Sequence, residues 1–345
     1  MKAAVLEGID KMAVKEVATP RAGFGEMVIK VKACAVCGSD LRIYHYGNPR
    51  VKYPQIIGHE VSGVVHEVGE GVTKYKVGDK VCLGADVPCG VCRWCTNGMG
   101  TNCSINYAIG YQFDGGFAEY MLVNKTTMDF GPVSRIPEGL SFAEAAVAEP
   151  LACAVNGLEI VGMSAGKTVV IFGLGPIGCM MIPLARHMGA SRVIAIQRSK
   201  ARLEAAKEFG ADLYICSSEV DPVEAVLEAT GGEGADVIIT TCGSVEAHEQ
   251  SVKMVAHRGW INLFGGLGKD ARKMSILSND IHYKECFVTG SHGSLPRHHR
   301  TALDFISAGY VDVKKVITHE YKLDDILEAF GAAEGRKGLK VIVKP

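Results

Sequence analysis

Cys37, His59 and Glu149 are the three kinds of side chain that a catalytic zinc takes from a protein: one thiolate, one imidazole, one carboxylate. Three protein ligands leave a fourth position open for water or substrate. The three residues are far apart in the chain, so spacing alone does not join them. Each stands at a boundary. Cys37-Gly-Ser-Asp closes a first β-rich stretch, Gly58-His59-Glu60 opens a second, and Glu149-Pro150 sits where the texture of the chain changes. Taken singly, each has a plainer reading, His59 as a structural histidine and Glu149 as a helix cap. A second cluster is local: Cys89-x2-Cys92-x2-Cys95-x7-Cys103. Four thiolates so spaced can converge on one tetrahedral ion, and zinc is the usual occupant. Four protein ligands close the site, so its role is structural. Redox-active thiols are the other reading. A nucleic-acid zinc ribbon is disfavoured, because the segment carries Arg93 but no basic stripe.

A third chemistry lies at 168–178. Five mostly apolar residues run into Gly173-Leu174-Gly175-Pro176-Ile177-Gly178, and a helical pattern starts at Pro176. Strand, glycine turn and helix N-terminus in that order cradle a dinucleotide pyrophosphate. In an NAD site an acid ends the next strand and binds the ribose 2′-hydroxyl. Here that strand, 193–196, is followed by Gln197-Arg198-Ser199. A neutral amide removes repulsion against a 2′-phosphate. Arg198 offers a forked cation, Ser199 a hydroxyl and an N-cap, and Arg202 stands one turn on. NADP is therefore expected rather than NAD.

The elements that must position these groups divide in two. Residues 27–33 alternate apolar and lysine, a half-buried strand, and glycine-punctuated β segments continue through 57–83, as in a small irregular barrel. From about 155, strands at 168–172, 193–196, 213–215, 236–240, 260–264 and 286–290 alternate with helices, which predicts a doubly wound parallel sheet of the Rossmann type. Pro183 should kink the first helix. A tail with helices near 297–308 and 324–333 and a strand at 339–343 returns to the first domain. The expected division is 1–154 with 292–345, and 155–291. A net charge of −1 gives no electrostatic reason to expect nucleic acid or an anionic membrane. No apolar run reaches a membrane span, and the first residues do not read as a signal peptide. A cytoplasmic protein with reduced thiols is expected.

Over nearly its whole length the sequence resembles the zinc-containing medium-chain alcohol and polyol dehydrogenases. The carriers are Cys37-Gly-Ser-Asp, Gly58-His-Glu, the four-cysteine lobe, Gly115-Gly-Phe-Ala-Glu-Tyr, Glu149-Pro-Leu and the glycine turn. The branch it looks most like holds the sorbitol, galactitol-phosphate and threonine dehydrogenases. The resemblance implies an α/β protein with a Rossmann domain and a GroES-like barrel. It also implies a catalytic zinc held by Cys37, His59 and an acid, in the cleft between the two domains, with Glu60 and Glu149 both candidates for that acid. Ser39 matches a hydroxyl relay position. The implied reaction oxidises a secondary alcohol, whose pKa falls at the metal so that its alkoxide expels hydride to the nicotinamide.

Departures from the pattern matter. Arg42 stands where the alcohol dehydrogenases place a relay histidine, with His45 three residues further on. Ile43 replaces an aromatic residue, and Thr289-Gly-Ser-His-Gly293 lacks an arginine, so this is not read as a sorbitol dehydrogenase. Tyr44, His45, Tyr46, Arg50, His292, Arg297, His298 and His299 crowd two outer loops. They could serve a substrate phosphate, but solvated surface charge is the simpler reading. The expected activity is NADP-linked oxidation of a polyol, sugar or sugar phosphate. An NAD enzyme of an amino alcohol such as threonine, and a non-catalytic zinc-stabilised nucleotide sensor, are the alternatives. A homodimer or homotetramer is expected.

Overall fold

In the computed structural model, which describes residues 1–268, 270–336 and 338–345, the strand Met27–Ala35 is the spine of the first unit. Its apolar residues are buried while Lys30 and Lys32 face outward, as alternation requires. It pairs antiparallel with Glu60–Val68 on one side and with Tyr120–Val123 and Lys340–Lys344 on the other. The sheet continues outward through Lys80–Leu83 and Val133–Arg135 at one end and Ile317–Lys322 at the other. Leu6, Ile29, Leu83, Phe117, Met121 and Val343 fill its core. A small sheet of Lys11–Glu16, Lys2–Gly8 and Gln55–Ile56 adjoins in sequence. This unit comprises Met1–Cys153 and Gly293–Pro345. The strand Ile317–Lys322 is not anticipated from sequence. Its Ile-Thr-His-Glu-Tyr-Lys alternates only half-buried and exposed residues, because it is an edge strand.

The second unit, Ala154–His292, is a six-stranded parallel sheet. Its spatial order is Leu213–Cys216, Arg192–Gln197, Thr168–Phe172, Ala235–Thr240, Val255–Leu263, Phe287–Gly290. Third, second, first, fourth, fifth, sixth is the doubly wound dinucleotide-binding order, with its switch point beside the first strand. Near-continuous apolar runs such as Val169–Phe172 and Val193–Ile196 are buried on both faces, as crossover helices demand. The fifth strand begins earlier than the expected 260. Its first half carries His257-Arg258-Gly259, with Arg258 at φ +57 and a register shift against Ala235–Val237, so it gives no strand signal. Pro183 lies inside the helix Pro176–His187, which runs past it unbroken, with buried Met180, Met181, Ile182 and Leu184 holding it to the sheet. Ser199 caps Lys200–Ala206 and Asp221 caps Pro222–Ala229, as expected. Among the described residues no helix is long and apolar enough to cross a membrane.

Candidate functional site

The first unit brings Cys37, His59 and Glu60 together, their ligand atoms all within 4.8 Å of one another. Cys37 follows the spine strand and is the N-cap of the helix Gly38–Tyr46. Its N–H donates to Asp40 Oδ2 at 2.9 Å, which fixes the turn that presents the thiol. His59 enters from the neighbouring strand, one residue before Glu60. Gly58 there has φ +95, and a Cβ on Gly115 would lie 2.2 Å from the Gly58 carbonyl oxygen. The Gly115-Gly116 segment therefore clamps the His59 turn backbone to backbone. Gly115→Ala is expected to destabilise the protein by about 1–3 kcal/mol in denaturant titration. Gly331→Ala, in open space on a helix, should stabilise it by about 0.5–1 kcal/mol.

The imidazole is oriented from behind. His59 Nδ1 lies 3.3 Å from Asp40 Oδ1, in ion-pair range but off hydrogen-bond alignment, and both atoms are otherwise unpartnered and buried. Burial lowers the His59 pKa, but the Asp40 charge overrides it and holds the pKa well above the ordinary value. The other ring nitrogen, Nε2, is 3.3 Å from Ser39 Oγ and on the side of Cys37. A carboxylate behind one nitrogen and a thiol before the other is the arrangement of a metal-ligating histidine.

Of the two candidate acids, Glu60 stands in the cluster and Glu149 does not. Glu60 is fully buried at the end of the sheet. Lys340 Nζ donates to its Oε1 at 2.6 Å, while Oε2 has no partner among the described residues. An orphaned, buried carboxylate oxygen beside a thiol and an imidazole fits a divalent cation. Glu149 is buried on the helix Ala148–Glu159 and accepts from Cys153 Sγ at 3.6 Å. Burial pushes its pKa up to about 7, the His59 charge works the other way, and Glu60 and Asp86 add to the rise. It is thus an electrostatic neighbour of the cluster.

The four-cysteine lobe is compact. Sγ separations are 3.5 Å for Cys92–Cys95, 3.9 Å for Cys89–Cys95 and 4.0 Å for Cys92–Cys103. A tetrahedron with zinc–sulfur bonds of about 2.3 Å sets these at about 3.8 Å. Backbone N–H groups of Ser104, Cys95 and Trp94 hold the Cys92 pKa down to about 5, while burial and the neighbouring Cys92 push Cys95 up to about 12, so without a cation the lobe favours thiolate at Cys92 and thiol at Cys95.

In the second unit the turn after Thr168–Phe172 is built for close approach. Gly173 has φ +88, and a Cβ on Gly178 would lie 1.9 Å from the Gly173 oxygen, whereas one on Gly175 would meet nothing within 4 Å. The space over Gly175 is open, and no side chain caps the helix that starts at Pro176. That fits a pyrophosphate. Leu174 is buried and Ile177 half-buried under the turn. Thr241 Oγ donates to the carbonyls of Phe172 and Gly173, at 2.9 and 2.6 Å, fastening the turn to the fourth strand. Gln197 Oε1 accepts the Leu174 N–H at 3.1 Å, which fixes the amide beside the cradle. Arg198 is exposed, its carbonyl held by Ser218 Oγ at 2.9 Å. Ser199 Oγ caps the helix that carries Arg202.

The outer-loop residues sort differently from expectation. His298 and His299 are buried in the helix Pro296–Ser307, not solvated. His299 Nδ1 contacts Ser134 Oγ at 3.2 Å, and burial lowers its pKa to about 4. His45 lies between Asp10 and Glu334, at 2.6 and 3.3 Å. Asp40, Lys340 and Thr241 were not singled out in the sequence. Nor was Tyr111, whose ring centroid is 6.1 Å from that of His59.

Residues 23–132 match the alcohol dehydrogenase GroES-like domain family and 176–308 the zinc-binding dehydrogenase family. A sorbitol dehydrogenase of Halalkalibacterium halodurans is 34% identical over 98% of this chain and 97% of its own length. An L-threonine 3-dehydrogenase of Pyrococcus abyssi is 38% identical over 95% and 93%. Among solved structures, a zinc-binding dehydrogenase from Sinorhizobium meliloti 1021 bound to NADP superposes with a TM-score of 0.93 at 33% identity, covering 100% of this chain and 99% of that one. With relatives this similar along nearly all of its length, the chain belongs to the zinc-containing medium-chain alcohol and polyol dehydrogenases.

Proposed function

We propose that the protein is an NADP-preferring, zinc-dependent dehydrogenase of a secondary alcohol on a polyol, sugar or sugar phosphate. The convergence of Cys37, His59 and the orphaned Glu60 oxygen carries this reading. Two zinc ions bind per chain, one at that cluster with Glu149 beside it, the other in the four-cysteine lobe. Zinc supplies a Lewis acid that lowers the pKa of a substrate hydroxyl, and the nicotinamide supplies the hydride acceptor. Asp40 holds the His59 ring in place. Ser39, next to His59 Nε2, takes the hydroxyl proton onward. Gly173, Gly175 and Gly178 with the helix N-terminus at Pro176 bind the pyrophosphate. Gln197 leaves room for a 2′-phosphate, which Arg198, Ser199 and Arg202 bind. The exposed edge strand Phe287–Gly290, with Phe287 and Val288 open to solvent, supports a homodimer by strand pairing, or a tetramer of such dimers.

A second reading, NAD-linked oxidation of an amino alcohol such as threonine, is favoured by the names of the threonine dehydrogenase relatives. Steady-state kinetics with both cofactors on polyols, their phosphates and threonine separates the two. Gln197→Glu keeps an acceptor for the Leu174 N–H and places a charge against the 2′-phosphate. It is expected to shift the NADP/NAD ratio of kcat/KM toward NAD by about 10–100-fold. A ratio that does not move overturns the NADP assignment.

A further inference from the structure

Arg50 and Tyr111 form a cation platform at the edge of the metal cluster. The Arg50 guanidinium carbon lies 4.7 Å from the Tyr111 ring centroid. The same ring lies beside His59, centroid to centroid at 6.1 Å. The guanidinium is therefore no farther from the His59 ring than those two lengths laid end to end, within reach of a short-chain substrate whose reacting hydroxyl sits at the cluster. Arg50 is half-buried, and one of its terminal nitrogens donates to the Asn106 carbonyl and to Gln112 Oε1. Its Nε is buried and has no hydrogen-bond partner among the described residues.

Among the described residues no carboxylate pairs with Arg50. The acid of the same loop, Asp114, is committed elsewhere, accepting from Gln55 Nε2 at 2.7 Å and from the Ile56 N–H at 3.3 Å. A partly desolvated cation is ordinarily matched by an anion. Here the protein positions the guanidinium through neutral carbonyl oxygens and an aromatic face, and leaves the matching negative charge to come from outside. A planar fork with a free Nε–H suits a carboxylate or phosphate oxygen.

We propose that Arg50, braced by Tyr111, recognises an anionic group on the substrate, so that the enzyme acts on alcohols carrying a carboxylate or a phosphate. This rests on the proposed dehydrogenase activity and narrows its substrate class. Tyr111 is the positioning residue: its ring supports the guanidinium and lies beside the His59 ring.

The test uses matched pairs on the zinc- and NADP-loaded enzyme. One pair is a polyol and its terminal monophosphate. The other is L-threonine and 1-amino-2-propanol, the same amino alcohol without the carboxylate, each with NADP and NAD. The wild type should favour the anionic member of one pair by about 10–100-fold in kcat/KM, mainly through KM. Which pair responds distinguishes phosphate from carboxylate. Arg50→Gln should collapse that ratio to near unity, and Arg50→Lys, which keeps charge but not the fork, should fall between. If Arg50→Gln does not fold, Arg50→Lys alone decides by whether the ratio drops. Absence of anionic preference in the wild type, or equal losses on both members of a pair, overturns the inference. Calorimetric titration with inorganic phosphate and with acetate gives a readout independent of turnover. Binding of either anion weakened at least about tenfold in Arg50→Gln supports the anion site, and no binding of both, or binding unchanged by the substitution, sinks it. Lack of turnover of every alcohol would instead sink the proposed activity.

Discussion

Cys37→Ser is expected to lower kcat/KM for the best alcohol by at least about 10³-fold and to reduce bound zinc from about two ions per chain to about one. The unfolding midpoint should stay near that of the wild type. A serine hydroxyl is not deprotonated at neutral pH as a metal-bound thiol is, so it is a poor zinc ligand. Lewis-acid stabilisation contributes several kcal/mol, and each 1.36 kcal/mol is tenfold in rate. The fold should tolerate the change, because the Cys37 contribution to the helix cap is made by its backbone N–H to Asp40, which serine retains. Cys92→Ser should do the reverse. It opens the four-sulfur site, releases the other ion and lowers the unfolding midpoint, because a closed structural site adds its binding energy to folding. Element analysis with thermal unfolding on the two variants reads both outcomes. A Cys37→Ser enzyme with activity within about tenfold of wild type would remove Cys37 from the metal set.

What could be read in the sequence was what lies close in the chain. The four cysteines span a single loop, so spacing alone joined them. The strand, glycine turn and helix at 168–178 announce themselves because two of the three glycines have a local backbone reason, Gly173 its φ of +88 and Gly178 its contact with the Gly173 oxygen. Gln197 could be placed by counting one strand onward. What could not be read depends on partners brought together by the sheet. Lys340 meets Glu60 across 280 residues, and only because the strand Lys340–Lys344 docks beside the spine strand. Glu60 and Glu149 are equal candidates in the sequence, and only the fold shows that Glu60 stands with Cys37 and His59. Tyr111 looks like any loop tyrosine in the sequence, and only the fold sets it beside both His59 and Arg50. His298 and His299 looked like surface charge because their neighbours are arginines, yet the helix turns them inward.

Lys340→Met is expected to destabilise the zinc-free protein by about 3–5 kcal/mol near neutral pH, the cost of leaving a buried charge unpaired. Both members of the pair are almost fully enclosed, and among the described residues Lys340 Nζ has only Glu60 Oε1 and the Val36 carbonyl, at 2.6 and 3.3 Å. Burial opposes the lysine charge, but Glu60 outweighs it and raises the Lys340 pKa. A raised lysine contributes its full stability below the unfolded pKa of about 10.4 and loses it only as pH climbs through the folded value. The wild-type pair is therefore constant across neutral pH. In Lys340→Met the Glu60 carboxyl loses the ammonium that its Oε1 accepts from, in a fully buried setting. Guanidinium unfolding of the two proteins at pH 7 reads the loss. Adding Glu60→Gln to Lys340→Met should recover most of it, because the carboxylate left without its ammonium is then replaced by a neutral amide. A loss that is not recovered in the double variant would assign it to packing around the lysine stem. It would also remove the reason for regarding Glu60 as paired through one oxygen with Lys340, with the other kept free for a metal.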